Sequence, residues 1–384
     1  RTLDLARAAE ARRLQESTDH PQQLLPWLFF PVGEVLIAPD TLMLAEKVGL
    51  QTEATATFYD LIIIGGGPAG LGAAVYGASE GYKTLLIDKE ATGGQAGTSS
   101  KIENYLGFPS GVSGADLARR ATTQAVRLGA EVLTALEVVA VRVEDPYRIV
   151  VLEDGSELTC KALVIATGVS VRHLKAPGIP ELYGRGVYYG AALAEAAAYR
   201  GQHVHVIGGA NSAGQAAMFF SRYASQVTMI VRGSSLSKSM SAYLIKQIEN
   251  RPNIEVLTRT SVTEAHGEKQ LEAITIRDND SEETRRVETP AMFIFIGAVP
   301  HTELVADVVE RNRAGFILTG VDLLREGKKP QGWTLRRDPY LLETSVPGIF
   351  AAGDVRQGAV RRVASAVGQG ANAINFVHQY LGTV

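Results

Sequence analysis

Two glycine-rich turns in this 384-residue chain have the composition and spacing to hold a phosphate. The first, Gly65-Gly-Gly-Pro-Ala-Gly70, ends the β-branched run Tyr59–Ile64 and fits G-x-G-x-x-G. In that pattern Gly65 permits the tight turn, Gly67 lets the backbone approach a pyrophosphate, and Gly70 lets helix and strand pack closely. Pro68 and Ala69 open the helix, whose free N–H groups favour an anion. Asp88 ends a second strand, Lys83–Asp88, where an acid reaches a ribose hydroxyl, and Lys89 follows it. The expected helix between these strands runs over Leu71–Gly81.

A second turn follows His203-Val-His-Val-Ile207 and is built from Gly208, Gly209, Ala210, Asn211, Ser212 and Ala213. Ala210 replaces the second glycine and sets a methyl group where a pyrophosphate comes closest, so affinity is expected to fall. The next strand, Gln226–Arg232, ends on Arg232 where an NAD binder carries an acid, and an arginine suits a 2′-phosphate. Ser234 and Ser235 add hydroxyl groups, with Lys238 a poorer candidate. Cys160 is the single cysteine and lies on a hydrophobic strand, which marks it as a small buried apolar group with no catalytic role. His203 and His205 alternate on one strand and share a face; without a third ligand they read as a coincidence of register rather than a metal pair.

Four further motifs occur in a telling order: Gly93-Gly-Gln95, Lys101–Phe108, Ala166-Thr167-Gly168, and Gly348-Ile-Phe-Ala-Ala-Gly-Asp354. Together with the first turn they closely resemble the low-molecular-weight thioredoxin reductases, from Tyr59 to the end of the chain. The resemblance implies FAD in the first turn, with Gly94, Gln95 and Asn104 beside the isoalloxazine and Gly353 and Asp354 on the ribityl chain. It implies NADPH in the second. After Asp354 the family has Arg-Gln and a small residue at a helix start, where this chain has Arg361-Arg362-Val363. Arg362 is expected to add a cation at the pyrimidine end of the flavin, which a helix N-terminus already makes favourable to negative charge. The family's dithiol aligns with the stretch Gly186–Leu193, and Gly190 and Leu193 occupy its cysteine positions. Internal dithiol exchange is thereby closed to this chain. Tyr188 and Tyr189 flank the vacated place, and Tyr189 is a candidate gate over the flavin.

The expected fold class is α/β, with two Rossmann-like dinucleotide-binding domains, the FAD domain interrupted by an NAD(P)-type domain, plus a partial thioredoxin-like N-terminal module. Residues 59–170 and 298–384 form the FAD domain and residues 171–297 the NAD(P)H-type domain, with hinges near Val169–His173 and Gly297–His301. Residues 1–50 resemble the second half of a thioredoxin or glutaredoxin fold: strand 1–5, helix 8–17, two short strands within Leu25–Ala38, and helix Thr41–Val48 capped by Asp40. Leu25-Pro26 would be its cis-proline position. The chain opens on Arg1, and the module lacks a first half, so a longer parent protein is expected. Residues 51–58 read as a polar linker, Asp278–Glu288 as a charged hairpin, Arg325–Asp338 as a solvated loop and Pro339–Ser345 as a strand.

Net charge of −3 offers no basic patch for nucleic acid, and no apolar run has membrane-spanning length. One cysteine excludes an internal disulfide framework and fits a cytoplasmic setting. The expected activity is that of an FAD-dependent oxidoreductase, a homodimer, carrying electrons from NADPH to a small-molecule or redox-protein acceptor. Two alternatives stand beside it: a protein donor replaces NADPH, or the chain is a flavin-binding sensor or interaction module.

Overall fold

The computed structural model describes residues 27–30, 35–99, 101–189 and 198–383. The strand and helix expected before residue 18, the Leu25-Pro26 position, and both Gly190 and Leu193 lie outside the described residues. Strands β1 (Trp27–Phe29) and β2 (Val35–Ile37) form an antiparallel pair. Helix α1 (Thr41–Lys47) follows, and the Met43 N–H donates to Asp40 Oδ1 at 2.7 Å, the N-cap bond expected there.

The polar segment 51–58, read as a linker, is hydrogen-bonded to the sheet it enters. Gln51 Nε2 donates to Glu131 Oε1 at 2.6 Å, and the Thr55 N–H and hydroxyl reach the two oxygens of Glu131 at 2.7 Å each. Tyr59 adds its hydroxyl to Glu131 Oε2 at 2.7 Å, so one carboxylate gathers three side chains of the segment entering the sheet.

That sheet has seven strands: β3 (Phe58–Ile64), β4 (Thr84–Asp88), β5 (Glu131–Thr134), β6 (Val138–Glu144), β7 (Tyr147–Leu152), β8 (Glu157–Ile165) and β19 (Ile349–Ala351). Its order is β5-β4-β3-β8-β7-β6, with β19 added in parallel to the end of β8. β3 is covered on both faces, which is why Leu61, Ile62 and Ile63 follow one another without a polar residue. Ile62 and Ile64 enter one core, Leu61 and Ile63 the other. Helix α2 (Pro68–Ser79) buries Ala69 to Ala74, Gly77 and Ala78 and leaves Tyr76 and Ser79 exposed. It packs on the C-terminal helix Val363–Leu381, and a Cβ on Gly370 would lie 2.0 Å from the Ala69 carbonyl oxygen, so only glycine permits that crossing. Helix α3 (Gly114–Arg127) covers the same side.

β9 (Val169–Val171) leaves this sheet, and β10 (Val187–Tyr189) opens a five-stranded parallel one. Its other members are β11 (His203–Ile207), β12 (Gln226–Val231), β13 (Ile254–Thr258) and β17 (Met292–Ile294), in the order β10-β17-β11-β12-β13. Helices α4 (Asn211–Phe220) and α5 (Ala242–Glu249) cover one face. The antiparallel strands β14 (Thr260–His266), β15 (Ala273–Asp278) and β16 (Thr284–Glu288) cover the other, and β15 and β16 make the expected charged hairpin. β18 (Ala298–Pro300) pairs antiparallel with β9, so the two expected hinges are one two-stranded ribbon. The chain ends in α6 (Val363–Leu381).

Pro339–Ser345 is not the expected strand. Its backbone doubles back on itself, with the Glu343 N–H bonded to the Tyr340 carbonyl at 2.9 Å. The fully buried Glu343 carboxylate takes the N–H groups of Tyr340 and Gly348 and the Arg337 guanidinium, at 2.6 and 2.9 Å. The preceding loop is accordingly not wholly solvated, since Arg337 is drawn inward and lies 3.7 Å above the Tyr340 ring. Among the described residues no helix is long and apolar enough to cross a membrane.

Candidate cofactor site

Most residues expected to hold the first dinucleotide converge on one cavity of about 1450 Å³ at the carboxyl ends of the seven-stranded sheet. Its wall carries Gly65, Gly67, Pro68 and Ala69 from the turn, Asp88 and Lys89 from β4, and Gly94 and Gln95 from a single helical turn. Ala166, Thr167 and Gly168 follow β8, and Gly353, Asp354, Arg361, Arg362 and Val363 come from the far end of the chain. Gly70 and Asn104 are not in this wall. Gly70 lies behind the turn, where a Cβ would meet the Gly65 carbonyl oxygen at 1.8 Å, and Asn104 is exposed on its loop.

The turn fits a pyrophosphate. A Cβ on Gly67 would meet nothing within 4 Å, so this backbone position opens on the cavity, at the N-cap of α2. The Asp88 carboxylate takes the Gly66 N–H at 2.6 Å and the Glu90 N–H at 2.8 Å, which fixes it at the rim with capacity for a ribose hydroxyl. Burial raises its pKa, only partly offset by these bonds. Burial also raises that of Asp354, against the lowering effect of Arg361. Arg362 caps α6 and donates through Nη1 to the Arg361 carbonyl at 2.9 Å, and Arg361 lies 5.8 Å from the Phe316 ring centre. A cation and a helix N-terminus therefore share one wall with a half-buried carboxylate.

The ribbon forms part of the same wall. Ser170 Oγ and His301 Nε2 are 2.8 Å apart, Thr167 donates to the His301 carbonyl at 2.6 Å, and the His301 N–H returns a bond to Gly168 at 3.1 Å. Burial holds His301 below the usual histidine range. Sequence reasoning passed over Ser170, His301 and Gln369, whose Oε1 accepts the Gly353 N–H at 2.8 Å. The hinge positions were the only signal for the first two, because the pairing joins segments 131 residues apart. Tyr189 also lines the cavity; its hydroxyl accepts the Leu174 N–H at 2.9 Å and its ring meets His173 edge-on at 5.0 Å. Tyr188 does not flank the cavity, since strand alternation turns it onto Phe293, stacked at 5.3 Å in the other core.

The second turn sits apart from this cavity. Ala210 is the N-cap of α4 in extended backbone and is exposed, with its methyl group at the position that Gly67 leaves open. Asn211 Oδ1 accepts the Ser241 N–H and Ser239 donates to the Gly209 carbonyl, both at 2.9 Å, so the serine-rich loop is tied to the turn. Arg232 and Ser234 are exposed beside it, while Ala213, in the first turn of α4, is buried. Cys160 is fully buried on β8, and burial pushes its thiol up to about 12. His203 and His205 stack at 4.6 Å with His203 Nε2 on Thr228 Oγ1 at 2.8 Å, and no cluster of metal-binding side chains occurs among the described residues.

Residues 59–370 match the model of the pyridine nucleotide-disulphide oxidoreductases, and the chain belongs to that family. Within it the chain is a thioredoxin reductase-like flavoprotein, an FAD-dependent pyridine nucleotide oxidoreductase with Rossmann-like α/β domains. It is 34% identical over 328 residues to a thioredoxin reductase of Treponema pallidum, covering 85% of this chain and 99% of that protein. It is 31% identical over 323 residues to a 34.2 kDa protein in a rubredoxin operon of Clostridium pasteurianum, covering 84% and 97%. The crystal structure of thioredoxin reductase from Streptococcus pyogenes superposes with a TM-score of 0.72 at 30% identity, covering 85% of this chain and 99% of that one.

Proposed function

We propose that this chain carries electrons from NADPH to an acceptor that meets the flavin directly, with no dithiol of its own in between. One observation carries the reading: the chain has a single cysteine, Cys160, buried on β8 with its thiol at about 12, and Gly190 and Leu193 stand where the family resemblance sets the pair. A thiol held protonated and enclosed neither attacks a disulfide nor forms one. Bound FAD supplies a two-electron store that lets donor and acceptor react in separate encounters.

The residues divide that work. Gly67 and the start of α2 hold the pyrophosphate, Asp88 the ribose, and Asp354 the ribityl hydroxyls. Arg362 supplies positive charge at the pyrimidine end. NADPH is oxidised to NADP⁺, and the acceptor, a small molecule or a redox protein, gains the two electrons. We read residues 59–170 and 298–384 as the flavin domain and 171–297 as the nucleotide domain of a cytoplasmic homodimer. Ala210 favours a second reading in which a protein donor replaces NADPH, because its methyl group occupies the anion approach.

Anaerobic reductive titration of the FAD-loaded protein tests this. The expected endpoint is two electrons per FAD, reached rapidly with NADPH and slowly with NADH, and unaltered in Cys160→Ala. A four-electron endpoint, or loss of turnover in Cys160→Ala, refutes the direct route. Absence of bleaching by either nucleotide refutes NADPH as the donor and leaves the second reading to be tested with a reduced protein donor.

A further inference from the structure

We propose that Arg259 is a second reader of the NADPH 2′-phosphate, acting beside Arg232. The proposal rests on the reading above, that the five-stranded sheet carries the nucleotide. β12 and β13 are parallel, with Val231 opposite Thr258, so Arg232 and Arg259 leave the carboxyl edge of the sheet as neighbours. The Arg259 N–H donates to the Gly233 carbonyl at 2.9 Å, which ties the end of β13 to the loop carrying Ser234 and Ser235. Ligands of such sheets lie outside the carboxyl ends of the strands. β11, which ends in the second glycine-rich turn, neighbours β12, and β12 neighbours β13. A dinucleotide running outward from that turn therefore meets Arg232 first and Arg259 next.

The side chain is accessible and already engages a carboxylate. Arg259 is 55% exposed, and Asp280 Oδ2 engages its Nη1 at 2.5 Å. A guanidinium has five N–H donors in a planar fork, so this bond occupies one nitrogen and fixes the direction of the rest. Asp278 also stands near, its carboxylate satisfied by the Ser281 and Asp280 N–H groups and held below the usual range by them. Arg259 has φ of +53°, a left-handed conformation that a glycine or asparagine adopts at lower cost. The loop after Arg232 carries serines with a single lysine, Lys238, and the adjacent strand adds the cation Arg259.

Calorimetric titration of the FAD-loaded protein with 2′,5′-ADP and, separately, 5′-AMP tests the assignment. Arg259→Gln is expected to weaken 2′,5′-ADP about tenfold or more, as loss of a charged hydrogen bond does, with 5′-AMP affinity and flavin absorbance unchanged. Arg259→Lys is expected to keep most of the affinity. Unchanged 2′,5′-ADP binding in Arg259→Gln, with weakening in Arg232→Gln, overturns the proposal and leaves the NADPH reading intact. Equal weakening of both ligands by Arg259→Gln assigns it a structural role and also overturns the proposal. Wild-type protein that fails to prefer 2′,5′-ADP over 5′-AMP overturns both.

Discussion

Gly67→Ala separates holding a cofactor from building the fold. Its φ of −71° and ψ of −177° suit any residue, and a Cβ there would meet no protein atom within 4 Å. The apo protein is expected to lose only the N-cap preference of glycine over alanine, about 0.5–1 kcal/mol. A bound phosphate is affected differently. Hydrogen-bonded N···O atoms sit about 2.9 Å apart, whereas a methyl carbon keeps a neighbouring heavy atom at about 3.5–4.0 Å. The oxygen is thus displaced out of reach of the turn's N–H groups. Loss of one hydrogen bond to a charged group costs about 1.5–3 kcal/mol, and retreat from the helix N-terminus adds about 0.3–1 kcal/mol. The sum, about 2–4 kcal/mol, corresponds to an FAD Kd raised about 30- to 700-fold.

The assay is quenching of FAD fluorescence on titration with apoprotein, paired with thermal unfolding of each apoprotein. Gly70→Ala is the contrast, because its Cβ would lie 1.8 Å from the Gly65 carbonyl oxygen and the backbone itself must move. It is expected to lower the apo Tm far more than Gly67→Ala does. Wild-type FAD affinity in Gly67→Ala, or an apo Tm lowered as far as in Gly70→Ala, refutes this division of labour.

His205 is 1% exposed and burial, with smaller contributions from His203 and Arg285, lowers its pKa to about 3. The unfolded chain therefore binds a proton below about pH 6.5 that the native state refuses, and about 2 kcal/mol of stability is lost between about pH 6.5 and 5; urea unfolding of His205→Leu is expected to lack that slope. Asp354 has its pKa raised, chiefly by burial, so its contribution to stability is present below the unfolded carboxylate pKa and is lost as pH rises through the folded one. Asp354→Asn should raise the apo Tm at neutral pH, give no gain under acid conditions, and weaken FAD, each read by differential scanning calorimetry and the same titration. Glu343→Gln, which leaves Arg337 facing a neutral amide at a fully buried position, should cost about 3 kcal/mol in chemical denaturation.

What the sequence made legible was local and periodic. The fingerprint Gly65–Gly70 and the β-branched run before it announce a strand, a turn and a helix within one window, and the structure has them there. Asp40 capped its helix as its spacing implied. The failures share a cause, which is that a residue's partner lay far along the chain. Pro339–Ser345 has strand-like composition, but Glu343 saturates the backbone N–H groups of Tyr340 and Gly348 that a ladder would use. The anchoring of the polar residues 51–58 was invisible for the same reason, since Glu131 lies 76 residues beyond Thr55.

The two glycine-rich turns show how far this goes for function. At the position that meets the pyrophosphate they differ, Gly67 against Ala210, and that difference is plain in the sequence, as is the arginine at the end of β12. On the proposed assignment, cationic charge at the opposite end of the nucleotide offsets the methyl group. That quantity depends on which strand lies beside β12, a matter of register between residues 27 positions apart, Val231 and Thr258. On the proposed assignment two cations, rather than one, would hold the phosphate end while the pyrophosphate keeps clear of Ala210. A double variant, Ala210→Gly with Arg259→Gln, should therefore recover part of the nucleotide affinity that Arg259→Gln alone removes, because restoring close approach at one end offsets charge lost at the other. Losses and gains that merely add, in a cycle of these two positions, are what independent ends would produce; a departure from additivity measures the coupling through the bound nucleotide.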